Sequence, residues 1–167
     1  MGARLTKKRI AVFIRQYGKD IVDAISNKNL YFEAVVAQKA LESAFGTSEL
    51  VANNNNFFGL MSNGTFVKFN SPNECYLAYV EIVESEFSKA LIASSPEEQL
   101  YKMAESGYIG NEMTPTAYVK KCKPYIDAVR NVCGIGKVKN GSSGKEWEFN
   151  VIRNNSELIE KVTVKQK

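Results

Sequence analysis

The chain has 167 residues, 44% apolar and 24% charged, with a net charge of +4. That is enough for one domain with its own core, and no apolar run approaches the roughly 20 residues that a membrane span needs. Histidine is absent, which excludes Ser-His and Cys-His nucleophilic machinery and histidine-based zinc sites, and leaves carboxylates, Tyr, Lys and Ser to carry any chemistry.

The opening MGARLTKKRIAVFIRQYGKD has basic residues followed by IAVFI. That apolar core is too short for a secretion signal, Arg15 interrupts it and no small-residue cleavage site follows. It reads instead as the start of a helix over residues 6–26, with Ile10, Phe13, Ile14, Tyr17, Ile21 and Ile25 on one side. A second helix is predicted over residues 32–45, closed by Gly46 as a left-handed cap, and a short turn over 48–53. FFGLMSNGTFVKF reads as a small hairpin turning at Asn63-Gly64, a pair that tolerates the positive φ of a type I′ loop. Ser71-Pro72-Asn73-Glu74 and Ser95-Pro96-Glu97-Glu98 each begin a helix: Ser caps, Pro takes the first helical position and Glu reaches back. Gly107 ends the second of these. Thr114-Pro115 begins a last helix, bent at Pro124 and ended near Gly134.

Residues 135–167 differ. NGSSG is a flexible turn, and Glu146 to Val151 and Lys161 to Lys165 alternate as strands do. Trp147 and Phe149 on one face would cover the helical core. The fold class is thus α+β, mainly α, with a domain over 1–134 and a β-rich extension over 135–167 on the same domain. The three cysteines, Cys75, Cys122 and Cys133, are odd in number and scattered, which argues for reduced packing thiols. Charge is uneven: the first nine residues hold four basic residues and no acid. Basic ends suit an anionic polymer and suit solvated tails equally. The aromatic-basic interleaving of a nucleic-acid binder is missing.

The second helix, AVVAQKALESAFGTSEL at 34–50, raises the functional question. Ala37, Ala40 and Ala44 form a stripe of small residues opposite Glu42, and Val35, Gln38 and Phe45 share its face. On that reading Glu42 sits in an apolar setting with only a neutral amide nearby. A carboxyl desolvated without a cation holds its proton, as a general acid must before it protonates a glycosidic oxygen. Taken alone, the helix also allows a Glu42 bonded to backbone groups or to a Lys or Arg from elsewhere.

Four stretches resemble, in order, the glucosaminidase family of bacterial and phage cell-wall hydrolases (glycoside hydrolase family 73). AQKALESAFGTS matches A-Q-x-A-L-E-S-x-W-G-x-S, with Phe45 in place of Trp. Asn55 to Gly59 matches N-N-L-F-G, and FVKFNSPNECYLAYV matches an aromatic, S-P, then an aromatic and D-Y. Gly107 to Tyr118 matches G-Y-x-T-D-x-x-Y. Together they cover about residues 10–130. The resemblance implies a lysozyme-like fold with a small β lobe, and an endo-β-N-acetylglucosaminidase acting on peptidoglycan strands. Glu42 would be the general acid and Tyr118 would point at the reacting centre. Gln38, Phe45, Asn56, Phe58 and Tyr108 would meet substrate. It implies no cofactor or metal, a monomer, and no nucleic-acid partner.

The chain departs from the family in its β lobe, which has no Asp or Glu between Gly59 and Asn70. Glu74 is explained by its capping box and Glu49 by its place at a helix start. A single acid assisted by the substrate's acetamido group is the preferred reading. A muramidase, a lytic transglycosylase, or a non-catalytic wall-binding or virion protein are the alternatives. Lack of a signal favours a phage endolysin or virion-borne enzyme acting at the wall, and a trimmed signal would make it a secreted one. The enzyme reading asks that Glu42 be free of any Lys or Arg and line an open groove.

Overall fold

The computed structural model describes residues 3–134 and the backbone of two strands at 147–153 and 159–166. Helix α1 (Ala3–Ile25) buries the predicted stripe: Ile10, Phe13, Ile14, Tyr17, Ile21 and Ile25 are all in the core. Helix α2 (Phe32–Glu42) runs through the centre, buried from Phe32 to Ala40 without a break. It packs on α1 and on the last helix, and its Ala34 and Ala37 meet Leu100, Ala104, Tyr118, Cys122 and Ile126. Small side chains allow that close approach.

α2 ends three residues sooner than the sequence pattern suggests. Ala44 and Phe45 lie at φ 52° and 63°, outside the helix. Ala44 is exposed rather than part of a small-residue stripe. Gly46 (φ 77°) closes the turn, and a Cβ there would come within 2.5 Å of the Tyr17 ring. Only glycine fits both the backbone and the space.

Residues 48–53 form a short helix rather than a turn. Helix α3 (Glu49–Asn54) is capped by Ser48, whose side chain accepts from Val51 N. A hairpin follows, β1 (Met61–Ser62) paired antiparallel with β2 (Thr65–Phe66). Asn63 and Gly64 between them take the positive φ expected of that turn. Helices α4 (Pro72–Glu86) and α5 (Pro96–Glu105) both begin with proline behind a serine cap. Their capping glutamates reach one residue further back than in a standard box: Glu74 accepts from Asn70 N and Glu98 from Ser94 N. A 3-10 turn, Ser88–Ile92, lies between them; the sequence pattern does not show it.

Helix α6 (Pro115–Cys133) is continuous through Pro124 and ends on Gly134 in the left-handed region. Arg130 ties it to α5 through Glu97 (3.0 Å). Cys75, Cys122 and Cys133 are free and buried. Strands β3 (Trp147–Arg153) and β4 (Ile159–Gln166) pair antiparallel. The predicted flexible turn, and the side chains of Trp147 and Phe149, lie outside the described residues. Among the described residues no helix is long and apolar enough to cross a membrane.

Candidate active site

A cleft of about 850 Å³ opens between the end of α2, the hairpin lobe and the segment joining α5 to α6. Glu42, the last residue of α2, lines it together with Phe58, Phe66, Tyr108, Glu112 and Tyr118. The Glu42 side chain is 24% exposed. It is therefore half-buried at the cleft wall rather than sealed in the apolar setting that the pattern suggests.

Both carboxylate oxygens are held. The Tyr118 hydroxyl donates to Oε1 at 3.0 Å. The Tyr108 hydroxyl donates to Oε2 at 2.9 Å, and the Lys39 ammonium donates to the same oxygen at 3.0 Å. Lys39 also donates to the Tyr108 hydroxyl at 2.8 Å. The expectation that Glu42 has only a neutral amide for company is thus wrong. Its partner is Lys39, three positions earlier on the same helix, where i and i+3 side chains are neighbours. Of the two conditions set on Glu42, the open groove holds and the freedom from a cation does not.

The tyrosines reach Glu42 from different elements. Tyr118 sits in the first turn of α6, set by the Thr114 cap, which accepts from Ala117 N. Tyr108 follows the end of α5 and packs edge-on against Phe87. Burial pushes both phenols well up in pKa, and the Glu42 charge pushes the same way. They remain hydroxyl donors at neutral pH.

The other predicted substrate contacts are placed differently. Gln38 is fully buried, does not line the cleft and accepts from the Tyr79 hydroxyl at 2.7 Å. Phe45 packs on Tyr125 and under the Arg9 guanidinium, away from the cleft, because its left-handed backbone swings it off the face it would share with Glu42 in a helix. Asn56 lies at the cleft but is spent on the lobe: Nδ2 donates to Leu60 O (2.9 Å) and Val67 O (3.0 Å), and Oδ1 accepts from Leu60 N (3.0 Å) and Phe58 N (3.4 Å). It braces the hairpin rather than offering an amide to a sugar. Phe57 is core, against Phe13, Tyr17 and Tyr76. Phe58 lines the cleft.

Among the lining residues that sequence reasoning overlooks are Phe66, Glu112 and Lys121. Glu112 is, with Glu42, one of two carboxylates on the cleft among the described residues. It stands inside the Gly107–Tyr118 stretch, where this chain is longer than the pattern it resembles.

The sequence profile of the glucosaminidases, described as mannosyl-glycoprotein endo-β-N-acetylglucosaminidase, matches residues 18–131, more than half of the chain. The chain belongs to the glucosaminidase family. Every group holding Glu42, and Glu42 itself, lies within the matched span. The glucosaminidase also superposes on the catalytic domain of the autolysin Auto from Listeria monocytogenes, with a TM-score of 0.60 and 23% identity, over 72% of this chain and 84% of that one. It matches a glycoside hydrolase domain of Salmonella typhimurium FlgJ at 0.60 and 18%, over 73% and 98%. It matches a peptidoglycan hydrolase from Sphingomonas sp. A1 at 0.60 and 18%, over 80% and 99%. These likenesses show the lysozyme-like fold. Among curated protein sequences none matches the chain.

Proposed function

We propose that this glucosaminidase hydrolyses the β-1,4 bond that follows N-acetylglucosamine in peptidoglycan, with Glu42 as general acid. One observation carries the reading. Glu42 reaches an open cleft of about 850 Å³ with both its oxygens fixed by Tyr108, Tyr118 and Lys39. With Lys39 beside it, Glu42 does not owe this role to desolvation without a cation, and the reading rests instead on orientation: a carboxyl held in one geometry in an open groove suits proton delivery to a glycosidic oxygen. The family match and the solved peptidoglycan hydrolases of the same fold support the substrate class.

The hairpin lobe supplies no acid, so the opposite face of the sugar is served by the substrate. The acetamido oxygen attacks C1 while the C1–O bond breaks, and the leaving oxygen takes the Glu42 proton. Water then opens the cyclic intermediate at C1 and gives its proton back to the Glu42 carboxylate. Glu112 is the carboxylate that would act instead in a two-acid mechanism.

The test is digestion of purified peptidoglycan with mass analysis of the new ends. Reducing N-acetylglucosamine supports the proposal. Reducing N-acetylmuramic acid would mean a muramidase, and anhydro ends a transglycosylase. Sedimentation with sacculi without release of soluble fragments would mean a binding module. Glu112→Gln should keep at least a third of the wild-type kcat; a hundredfold loss would replace substrate assistance with a second carboxylate.

A further inference from the structure

Lys39 is a buried charge that takes no part in the bond changes above. It stands at the position that the pattern A-Q-x-A-L-E leaves open. Its side chain has no exposed surface. Two ring faces flank the ammonium, with centroids at 4.1 Å (Tyr79) and 4.7 Å (Phe58). Its hydrogen bonds run to Glu42 Oε2 and to the Tyr108 hydroxyl, which donates to that same oxygen. The three atoms close a triangle with one corner on the carboxylate.

Stability does not explain this arrangement. Burying an ammonium is costly, and replacing a buried ion pair by apolar groups of the same volume is often neutral or stabilising. Burial does push the Lys39 pKa down, and Glu42 opposes that shift. The titratable groups that face Lys39 are Glu42 on its own helix, Cys75 and Tyr79 from α4, Tyr108 after α5 and Cys122 from α6. Among these, the one anionic partner within hydrogen-bond reach is Glu42.

We propose that Lys39 is a positioning residue for the glycosidase reaction. It pins Glu42 Oε2 directly and through Tyr108, so that the carboxyl meets the glycosidic oxygen in one geometry. When the proton passes to that oxygen and the C1–O electron pair leaves with it, the new carboxylate finds its counter-charge already in place. Lys39 never touches the sugar. The inference rests on the reading of Glu42 as general acid.

Lys39→Met and Tyr108→Phe, made in the full chain, test it by steady-state kinetics on solubilised glycan strands and by thermal melting. Losing one hydrogen bond to a charged group predicts a fall in kcat of about 10- to 100-fold. Apparent KM should stay within twofold, and the Tm of Lys39→Met should change little, because the Glu42 left behind reaches the cleft and keeps its two tyrosine donors. In a Glu42→Gln background Lys39→Met should leave the residual rate unchanged, because the group it positions is gone. A Lys39→Met enzyme with wild-type kcat overturns the proposal. So does a loss that tracks a lower Tm and a raised KM, which is the mark of a purely structural residue. If Lys39→Met does not fold, Tyr108→Phe decides: lower kcat at constant KM and Tm supports the triangle, and wild-type kcat overturns it. A Glu42→Gln enzyme as fast as wild type would instead refute the general-acid reading itself, a result distinct from the others.

Discussion

Tyr118→Phe isolates one hydroxyl beside Glu42. The ring is buried with Leu100, Cys122 and Ile126 in the second core cluster, and phenylalanine keeps those contacts. What is lost is the donor to Glu42 Oε1 at 3.0 Å. Oε2 keeps both of its donors, Lys39 and Tyr108, so the carboxyl is left tethered at one oxygen and free to rotate about that tether. A hydrogen bond to a charged group contributes about 1.5–3 kcal/mol. At about 1.36 kcal/mol per tenfold, kcat should fall roughly 10- to 150-fold. The hydroxyl is spent on Glu42 rather than on the sugar, so apparent KM should change less than threefold. Stability should drop by about 1 kcal/mol, or roughly 3 °C in Tm. Initial rates of glycan release at saturating substrate, with melting by circular dichroism, measure all three. A kcat within threefold of wild type would refute the tether. A raised KM at constant kcat would mean that the hydroxyl binds sugar.

Glu42→Gln keeps the shape of the side chain but cannot deliver a proton; release of soluble fragments should fall at least a thousandfold while sedimentation with sacculi persists. Asn56→Ala removes four hydrogen bonds from the hairpin lobe. At about 1 kcal/mol each, reduced by solvent that replaces some of them, Tm should fall by roughly 5–10 °C and apparent KM should rise more than kcat falls. Ser71→Ala uncaps α4 at a residue that does not line the cleft and should lower stability by about 1 kcal/mol with kcat unchanged. Burial pushes the Cys75 thiol up to about 11 and those of Cys122 and Cys133 up to about 12. A folded-state pKa above the unfolded value of about 8.5 means that the folded chain holds its protons more tightly. Their contribution to stability is therefore complete below about pH 8.5 and is lost as pH rises through 11 to 12. Tm measured across that range should be flat and then decline, and a Cys133→Ala variant should decline less.

Much of this architecture is legible because local signals agree. Three caps with proline behind them set the starts of α4, α5 and α6, and Asn63-Gly64 sets the hairpin. What escapes is what depends on more than one residue at a time. The 3-10 turn at Ser88–Ile92 has no cap, proline or glycine signal. α2 stops at Glu42 because Ala44 and Phe45 turn left-handed, and nothing in their chemistry announces that. The error carries through to function: with the helix extended to 45, Phe45 falls beside Glu42, and with the true end it packs on Tyr125 instead.

Lys39 is the more instructive omission. A lysine on a helix is ordinarily read as solvated, and its distance of three residues from Glu42 is ordinarily read as a surface pair that contributes little. Here the same spacing is turned inward. Gln38 and Lys39 both lie under the cleft floor with no exposed surface, Gln38 bonded to Tyr79 and Lys39 stacked on it. Two polar side chains at consecutive positions break the apolar pattern of a central helix. Such breaks, where they persist in a packed core, concentrate beneath reactive groups. The helix that looks most hydrophobic in the sequence thus carries a polar seam, Gln38-Lys39-Glu42. Only the inward position of that seam, which depends on Tyr79, Tyr108 and Tyr118 arriving from three other segments, distinguishes it from an ordinary solvated face.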